Sequence, residues 1–260
     1  MRLQHLIIAV LLFCLPTSGW AGYDFDGTDD CITGTASSLP GSAWAPLSIF
    51  IVAKMDATTD GQYLVALKDS AGQAWLLYTT GTGKIASIMP FSVGSNAPFC
   101  VNTTSNTFSA NDVIRYAVSY APGGNCAAAT HVANLNGTET SGSSFAYTTT
   151  GGGDKLAIGA GNATTCSGFL NGKVYEVAVW NVALTSNEMS QLVNGYSKRM
   201  SYRVRPASLK GYWELNETAD SAAANGASVF DGVNGQTLTA DDGANNTGMT
   251  GDAERVLSYP

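Results

Sequence analysis

Charge is scarce in this chain. Only 13% of its 260 residues are Asp, Glu, Lys or Arg, and 13 basic against 20 acidic side chains leave a formal net charge of −7. That balance speaks against a nucleic-acid partner, because affinity for a phosphate backbone comes from clustered Lys and Arg. The one basic cluster, Lys198, Arg199, Arg203 and Arg205, reads as a solvated edge. Histidine is limited to His5 and His131, and no cysteine pair has Cys-x-x-Cys spacing, which argues against a thiolate or imidazole zinc site. EF-hand spacing is absent, as is a tandem repeat of ~20–50 residues. No apolar run reaches the length of a membrane-spanning helix.

What is present begins with an export signal. Arg2, the apolar run from Leu6 to Pro16, and Gly19 and Ala21 as small residues place a signal-peptidase cut between Ala21 and Gly22, so residues 1–21 are expected to be a signal peptide. A lipoprotein anchor at Cys14 would need a small residue before it, and Phe13 stands there. The expected location is secreted, extracellular or cell-surface, with the periplasm as an alternative. The mature chain keeps Cys31, Cys100, Cys126 and Cys166, an even set that suggests two disulfides in an oxidising compartment.

Abundant Gly (29 residues), little charge and 45% hydrophobic content suit many short strands around one large core. Alternating or β-branched runs closed by turn residues predict strands at Tyr23–Phe25, Leu47–Met55, Tyr63–Lys68, Trp75–Thr79, Lys84–Met89, Val113–Tyr120, His131–Asn136, Lys155–Ala160, Lys173–Trp180 and Gly211–Leu215. In Val113–Tyr120 the set Ile114, Tyr116, Val118, Tyr120 marks one buried face. In Lys173–Trp180, strict alternation groups Val174 with Glu176, Ala178 and Trp180. One short surface helix is expected near 185–194: Thr185 caps it, Glu188 closes a capping box, Met189, Leu192 and Val193 form its apolar stripe, and Gly195 stops it. Asp26-Gly27 and Asp231-Gly232, each after a Phe, read as turns. The Gly/Asn/Ala/Asp-rich stretch from Ala219 to Asp252 reads as loops and short strands packed on the same domain.

Counting strands gives a disulfide expectation. If Val113–Tyr120 runs one way, His131–Asn136 returns and Lys155–Ala160 runs back, then Cys126 and Cys166 share one end of the sandwich at a bridgeable Cα separation of ~5.5 Å. Cys31 and Cys100 remain as the second pair.

The segment Phe25-Asp26-Gly27-Thr28-Asp29-Asp30-Cys31-Ile32 resembles the opening strand and turn of laminin-G-like domains. Phe169–Asn181 with Ala183–Met189 resembles their closing strand and helix start, and Arg115–Tyr120, His131–Gly137 and Leu156–Gly159 fall in the matching order. On these residues the chain resembles a laminin-G-like domain of the concanavalin-A-like lectin/glucanase superfamily, of bacterial or phage-borne type, over Tyr23 to Gly195. Arg205–Trp213 with Ser258-Tyr259-Pro260 resembles a tail that follows such domains and implies a complete chain. The resemblance implies an all-β, two-sheet antiparallel jelly-roll sandwich of about twelve to fourteen strands. Residues 22–200 would form the sandwich and 201–260 a C-terminal tail packed on it.

No catalytic residues are expected. The superfamily's glucanases carry paired carboxylates on one strand face, whereas Glu176 is the only acid in its strand and reads as structural. A Ser–His–Asp site would have to use His131 at a strand start. No cofactor is required, but the resemblance makes calcium an open question; Asp26, Asp29 and Asp30, with Asp24 beside them, form the densest acidic group, although such a turn can also be held by its own hydrogen bonds. Glycan binding calls for an aromatic platform; Trp44, Trp75, Trp213, Tyr63, Tyr78 and Tyr147 are available, and Trp44, Trp75, Tyr78 and Tyr147 are the candidates. The sequons at Asn102, Asn136, Asn162, Asn216 and Asn245 matter only in a glycosylating host. Three readings follow: a non-catalytic module for a glycan or glycoprotein, a structural or adhesion protein of a cell surface or virion, and a glycosidase or lyase with a non-standard site. Ligand and oligomeric state are not legible.

Overall fold

The computed structural model describes residues 22–39, 46–69, 72–90, 99–121, 130–145, 155–195, 199–216, 225–241 and 249–252. Its strands are β1 (Gly22–Asp26), β2 (Cys31–Thr35), β3 (Leu47–Met55), β4 (Tyr63–Asp69), β5 (Gly72–Thr80), β6 (Lys84–Pro90), β7 (Phe99–Thr103), β8 (Val113–Ala121), β9 (Thr130–Leu135), β10 (Thr138–Ser141), β11 (Ser143–Phe145), β12 (Lys155–Ile158), β13 (Asn171–Trp180), β14 (Leu209–Trp213), β15 (Ser228–Phe230), β16 (Thr237–Asp241) and β17 (Thr250–Asp252). They build two antiparallel sheets. Sheet A runs β10-β9-β8-β3-β13-β1-β17, with β14 also on β13, and sheet B runs β11-β7-β6-β5-β4-β12-β2-β16-β15. This is the expected two-sheet jelly-roll sandwich, with more strands than the resemblance implied. The extra pieces come from beyond residue 200, where the chain supplies strands to both sheets: β14 and β17 to sheet A, β15 and β16 to sheet B.

The main core lies between the sheets. Ile49, Ile51 and Ala53 of β3 face Leu64, Val65 and Leu77 of sheet B, with Trp75, Tyr116, Tyr120 and Trp213 filling the larger volumes. Both faces of β3, β8 and β13 are buried, where alternation alone indicated one. The outer face of sheet A is roofed by helix α1 (Ser186–Asn194) and by two 3-10 turns, Met200–Arg203 and Pro206–Ser208. Phe50, Val52, Ala117, Tyr175 and Trp180 pack there against Met189, Leu192 and Val193. Each of the larger aliphatic and Phe side chains buried there contributes ~1.5–3 kcal/mol. Polar groups under the roof are bonded to it: Arg115 Nη1 donates to Val193 O (3.0 Å), Ser119 Oγ to Leu184 O (2.7 Å) and Trp180 Nε1 to Val204 O (2.8 Å).

The helix forms as the sequence predicts. Glu188 N donates to Thr185 Oγ1 and Thr185 N to Glu188 Oε2, the two halves of a capping box. Gly195 follows with φ −66°, so it is not needed for a left-handed cap; a Cβ there would stand 2.7 Å from Gln191 O.

One alternation fails. The register of β13 against β3 shifts between Val174 and Glu176, so Tyr175 is an extra residue in a β-bulge. Val174 therefore joins Val177 and Val179 in the main core, while Tyr175, Ala178 and Trp180 face the roof. Glu176 is 1% exposed and accepts from Ser201 Oγ at 2.8 Å, the structural role expected of it. The second Asp-Gly turn is equally specific: buried Asp231 accepts backbone N–H bonds from Tyr212, Val233 and Asn234 at 2.8–3.0 Å.

Candidate functional site

One end of the sandwich collects acidic and aromatic groups. β1, β3, β12 and β16 end there, and β2, β4, β8 and β13 begin there, as the pairs Asp26↔Asn171, Lys54↔Val113, Ile158↔Val65 and Cys31↔Asp241 show. Asp26, Asp29, Asp30, Asp56, Asp60 and Asp241 all lie in or beside the turns of this rim. The β1–β2 turn is held from within, since Asp30 Oδ2 accepts from Asp26 N (2.6 Å) and Asp26 Oδ1 from Thr28 N (2.7 Å). Gly27 has φ +81°, and a Cβ on it would lie 2.9 Å from Asn171 Cβ, so the turn needs glycine for conformation and for space.

Asp26, Asp29 and Asp30 bring carboxylate oxygens within 4.8 Å of one another. Oxygens that share one calcium at 2.3–2.6 Å lie within about 5 Å of each other, so this hard-oxygen set is compatible with that ion. The turn's own hydrogen bonds use one oxygen each of Asp26 and Asp30. The two roles weighed from the sequence are therefore not exclusive.

The rim is stapled by a disulfide. Cys31 is bonded to Cys166 with a Cα–Cα distance of 6.2 Å, across 135 residues of sequence. This overturns both expected pairs, Cys126–Cys166 and Cys31–Cys100. The error lies in strand parity: β10 and β11, unrecognised in the sequence, carry the chain once more from the rim to the far end, so β12 runs toward the rim and delivers Cys166 beside Cys31. Cys100 lies within β7, and Cys126 falls outside the described residues. The Asp241 carboxylate stands within 4.8 Å of the two sulfurs.

The loop 159–170, which carries Cys166, folds over the outer face of sheet B. Tyr63 fits between two of its glycines: a Cβ on Gly161 would meet the ring at 2.7 Å and one on Gly168 at 2.5 Å. Tyr78 packs beside it, ring centroids 5.5 Å apart and tilted 33°. Burial raises the Tyr78 phenol above its ordinary range, with Tyr63 and Asp60 adding to the shift. Gln62 links loop to rim, its Oε1 accepting from Asn171 N at 2.9 Å.

Of the two aromatic candidates among the described residues, Tyr78 lies at this rim, half-buried. Trp75 is corrected: it is 1% exposed and sits in the core, edge-on to Tyr120 at 5.9 Å, because β5 alternation turns it inward. Trp44 and Tyr147 lie outside the described residues. His131 is 4% exposed between the sheets, its Nε2 2.8 Å from Ser87 Oγ and its Nδ1 without a hydrogen-bond partner. Burial holds it down at about 3. A buried pair with no carboxylate to orient the ring is not a nucleophile–base site that substrate could reach. The sequon Asn102 is fully buried, its Nδ2 donating to His131 O and Thr140 O, and cannot accept a glycan as folded. Sequence reasoning passed over Phe230, which is 57% exposed on β15; the Ser228-Val229-Phe230 alternation, with Val229 inward, was the available signal.

This β-sandwich, with its Phe-Asp-Gly turn and its capped helix after the long closing strand, can be set against known proteins. A family described as the Concanavalin A-like lectin/glucanases superfamily, laminin-G type, matches residues 26–190. The chain belongs to that family. Among solved structures, the laminin-G-like chain is similar to a candidate carbohydrate binding protein from Bacteroides ovatus, with 15% identity and a TM-score of 0.57 over 91% of this chain and 60% of the other. It thus spans 60% of that protein's length. It is also similar to the heptameric SAP-like pentraxin of Limulus polyphemus, with 13% identity and a TM-score of 0.54 over 95% of this chain and 100% of the other. At these identities the likeness speaks of fold. No curated protein sequence matches the chain. Among the described residues no helix is long and apolar enough to cross a membrane.

Proposed function

We propose that this laminin-G-like chain is an exported, non-catalytic glycan-binding module that uses the acidic rim. The observation that carries the reading is the convergence of three carboxylates, Asp26, Asp29 and Asp30, on a turn of a disulfide-stapled rim, at the end of the sandwich where the paired Tyr63 of β4 and Tyr78 of β5 also lie. Carboxylates accept sugar hydroxyls, half-buried rings offer apolar contact, and a rigid strand end holds both in place at little entropic cost. Calcium held by Asp26, Asp29 and Asp30 would supply open coordination positions for glycan oxygens. The non-catalytic reading draws on Glu176 and His131, both buried in structural contacts. The likeness to the candidate carbohydrate binding protein supports the glycan class. Export rests on the expected signal peptide.

A glycan array probed with the mature chain tests this. Binding to a defined glycan subset, lost on adding EDTA and in the Asp29→Asn/Asp30→Asn protein, is expected. A negative array with and without calcium overturns the reading.

A further inference from the structure

The helix that roofs sheet A has an outward side of its own. Between α1 and Met200, where the next 3-10 turn begins, lies an open cleft of about 590 Å³ lined by Asn187, Ser190, Gln191, Asn194, Gly195 and Met200. Asn187, Gln191 and Asn194 are four and then three residues apart, so they share one stripe of the helix, and all three are exposed. The buried stripe of Met189, Leu192 and Val193 lies on the opposite side. Exposed helical positions usually hold charged side chains, and Asn lowers helix propensity, so a stripe of three amides is not what helix formation asks for.

The parts of the cleft differ in how they are held. Asn194 is fixed: its Nδ2 donates to Ser190 Oγ at 2.9 Å, and its Oδ1 stands 3.2 Å from where a Cβ on Gly137 of the β9–β10 turn would be. Ser190 accepts that bond and has its hydroxyl hydrogen left to donate. At the floor, a Cβ on Gly195 would lie 3.2 Å from Met200 Cγ and Cε, so the thioether rests on bare backbone. The charged neighbours in sequence, Glu188 beside Asn187 and Arg199 beside Met200, are each bonded to a partner of opposite sign, Arg205 and Glu214. The exposed amides of Asn187 and Gln191 therefore set the chemistry. A primary amide carries donor and acceptor on one planar group, and at this spacing the two Cβ atoms lie ~5–6 Å apart. A secondary amide fits between them, with one side chain donating to its C=O and the other accepting from its N–H. A methyl group on that amide would then meet Met200, whose flexible thioether adapts to small apolar groups. A sugar with hydroxyls alone would reach the amides but leave the thioether uncovered.

We propose that the α1 cleft is a metal-independent subsite for an N-acetylated hexosamine, read through its acetamido group by Asn187 and Gln191 with Met200 against the methyl. It rests on the reading of the chain as a glycan binder but uses a different surface from the Asp26 turn. Saturation-transfer NMR and calorimetry of the mature chain with the tetramer of N-acetylglucosamine, and with cellotetraose as the analogue lacking acetamido groups, test it. The acetylated tetramer is expected to bind, with its methyl protons receiving the strongest transfer, and cellotetraose to bind about tenfold more weakly. Binding should persist in EDTA and in the Asp29→Asn/Asp30→Asn protein. Asn187→Ala and Gln191→Ala should each weaken it several-fold, and Met200→Ala should reduce the methyl transfer. Asn187 and Gln191 are exposed, and unchanged melting temperatures verify folding. No binding of the acetylated tetramer overturns the subsite, as does equal binding of cellotetraose. Binding that the Asn187→Ala/Gln191→Ala protein keeps but EDTA abolishes would reject the subsite and leave the rim reading standing. Binding lost in Asn187→Ala/Gln191→Ala, beside an array without EDTA-sensitive signals, would support the subsite and count against the rim.

Discussion

The two outer faces of the sandwich are treated in opposite ways. Sheet A is covered by a helix, two 3-10 turns and the chain around them, so Tyr175, Trp180 and Tyr212 are buried on what would otherwise be a surface. Among the described residues, sheet B is covered where the loop 159–170 crosses Tyr63, Ala66 and Ala157, and there small residues and a disulfide replace apolar bulk. On β15, β16 and the end of β2 its outward positions are Ser228, Phe230, Thr237, Thr239 and Thr35, with Lys155 of β12 opposite Thr35. Face A is thus part of the protein's stability, whereas the described part of face B keeps exposed side chains on β15 and β16.

Substitutions can sharpen or break that contrast. The largest effect is expected on face A: Trp180→Ala removes a fully buried ring and its bond to Val204 O and should cost ~3–5 kcal/mol in urea unfolding. If it costs no more than an exposed change, the roof is not a packed layer. Next comes the staple of face B. Cys166→Ser should cost ~2–4 kcal/mol and, by freeing the loop over Tyr63, speed protease cleavage within residues 159–170 while cuts near α1 stay slow. Uniform cleavage at both places would erase the distinction.

Between the faces stands His131. Burial keeps it neutral down to about 3, whereas an unfolded His takes up its proton near 6.5. Above that pH neither state binds the proton and there is no effect. As pH falls below it, only the unfolded chain is protonated, so stability drops by ~2 kcal/mol between pH 6.5 and 5. Urea midpoints at the two pH values should show this slope in the parent and a smaller one in His131→Asn. An equal slope would mean that the ring is not excluded from solvent. The smallest effect is Phe230→Ala, expected to stay within ~0.5 kcal/mol because the ring is mostly exposed.

The sequence shows the strands and the helix, but not the contrast between the faces. The central strands and α1 are read from alternation and a capping box because long periodic runs and local hydrogen bonds leave direct traces. β10 and β11 are not, since Thr138–Ser141 and Ser143–Phe145 are short and at sheet edges, with no apolar face to mark them. That omission reversed strand parity and with it the cysteine pairing. The bulge at Tyr175 is likewise invisible, because one extra residue in an apolar run changes nothing in composition. At the rim, the Asp26–Asp30 cluster was legible as a motif. Tyr63 was legible only as one available aromatic among six, because its place depends on glycines a hundred residues away. Phe230 was hidden by its setting in a Gly/Asn-rich stretch.

The pairing of β1 with β17 carries a topological consequence. Gly22 lies opposite Asp252, so the first and last described strands are hydrogen-bonded neighbours on one edge of sheet A. The chain path is almost a closed ring, and a linker joining these two strands would make it one. A circular permutant cut at the exposed Asn136-Gly137 turn should then refold to the same two sheets. Copies joined through these adjacent ends would be tethered at a single edge of the sandwich, at the end opposite the Asp26 turn.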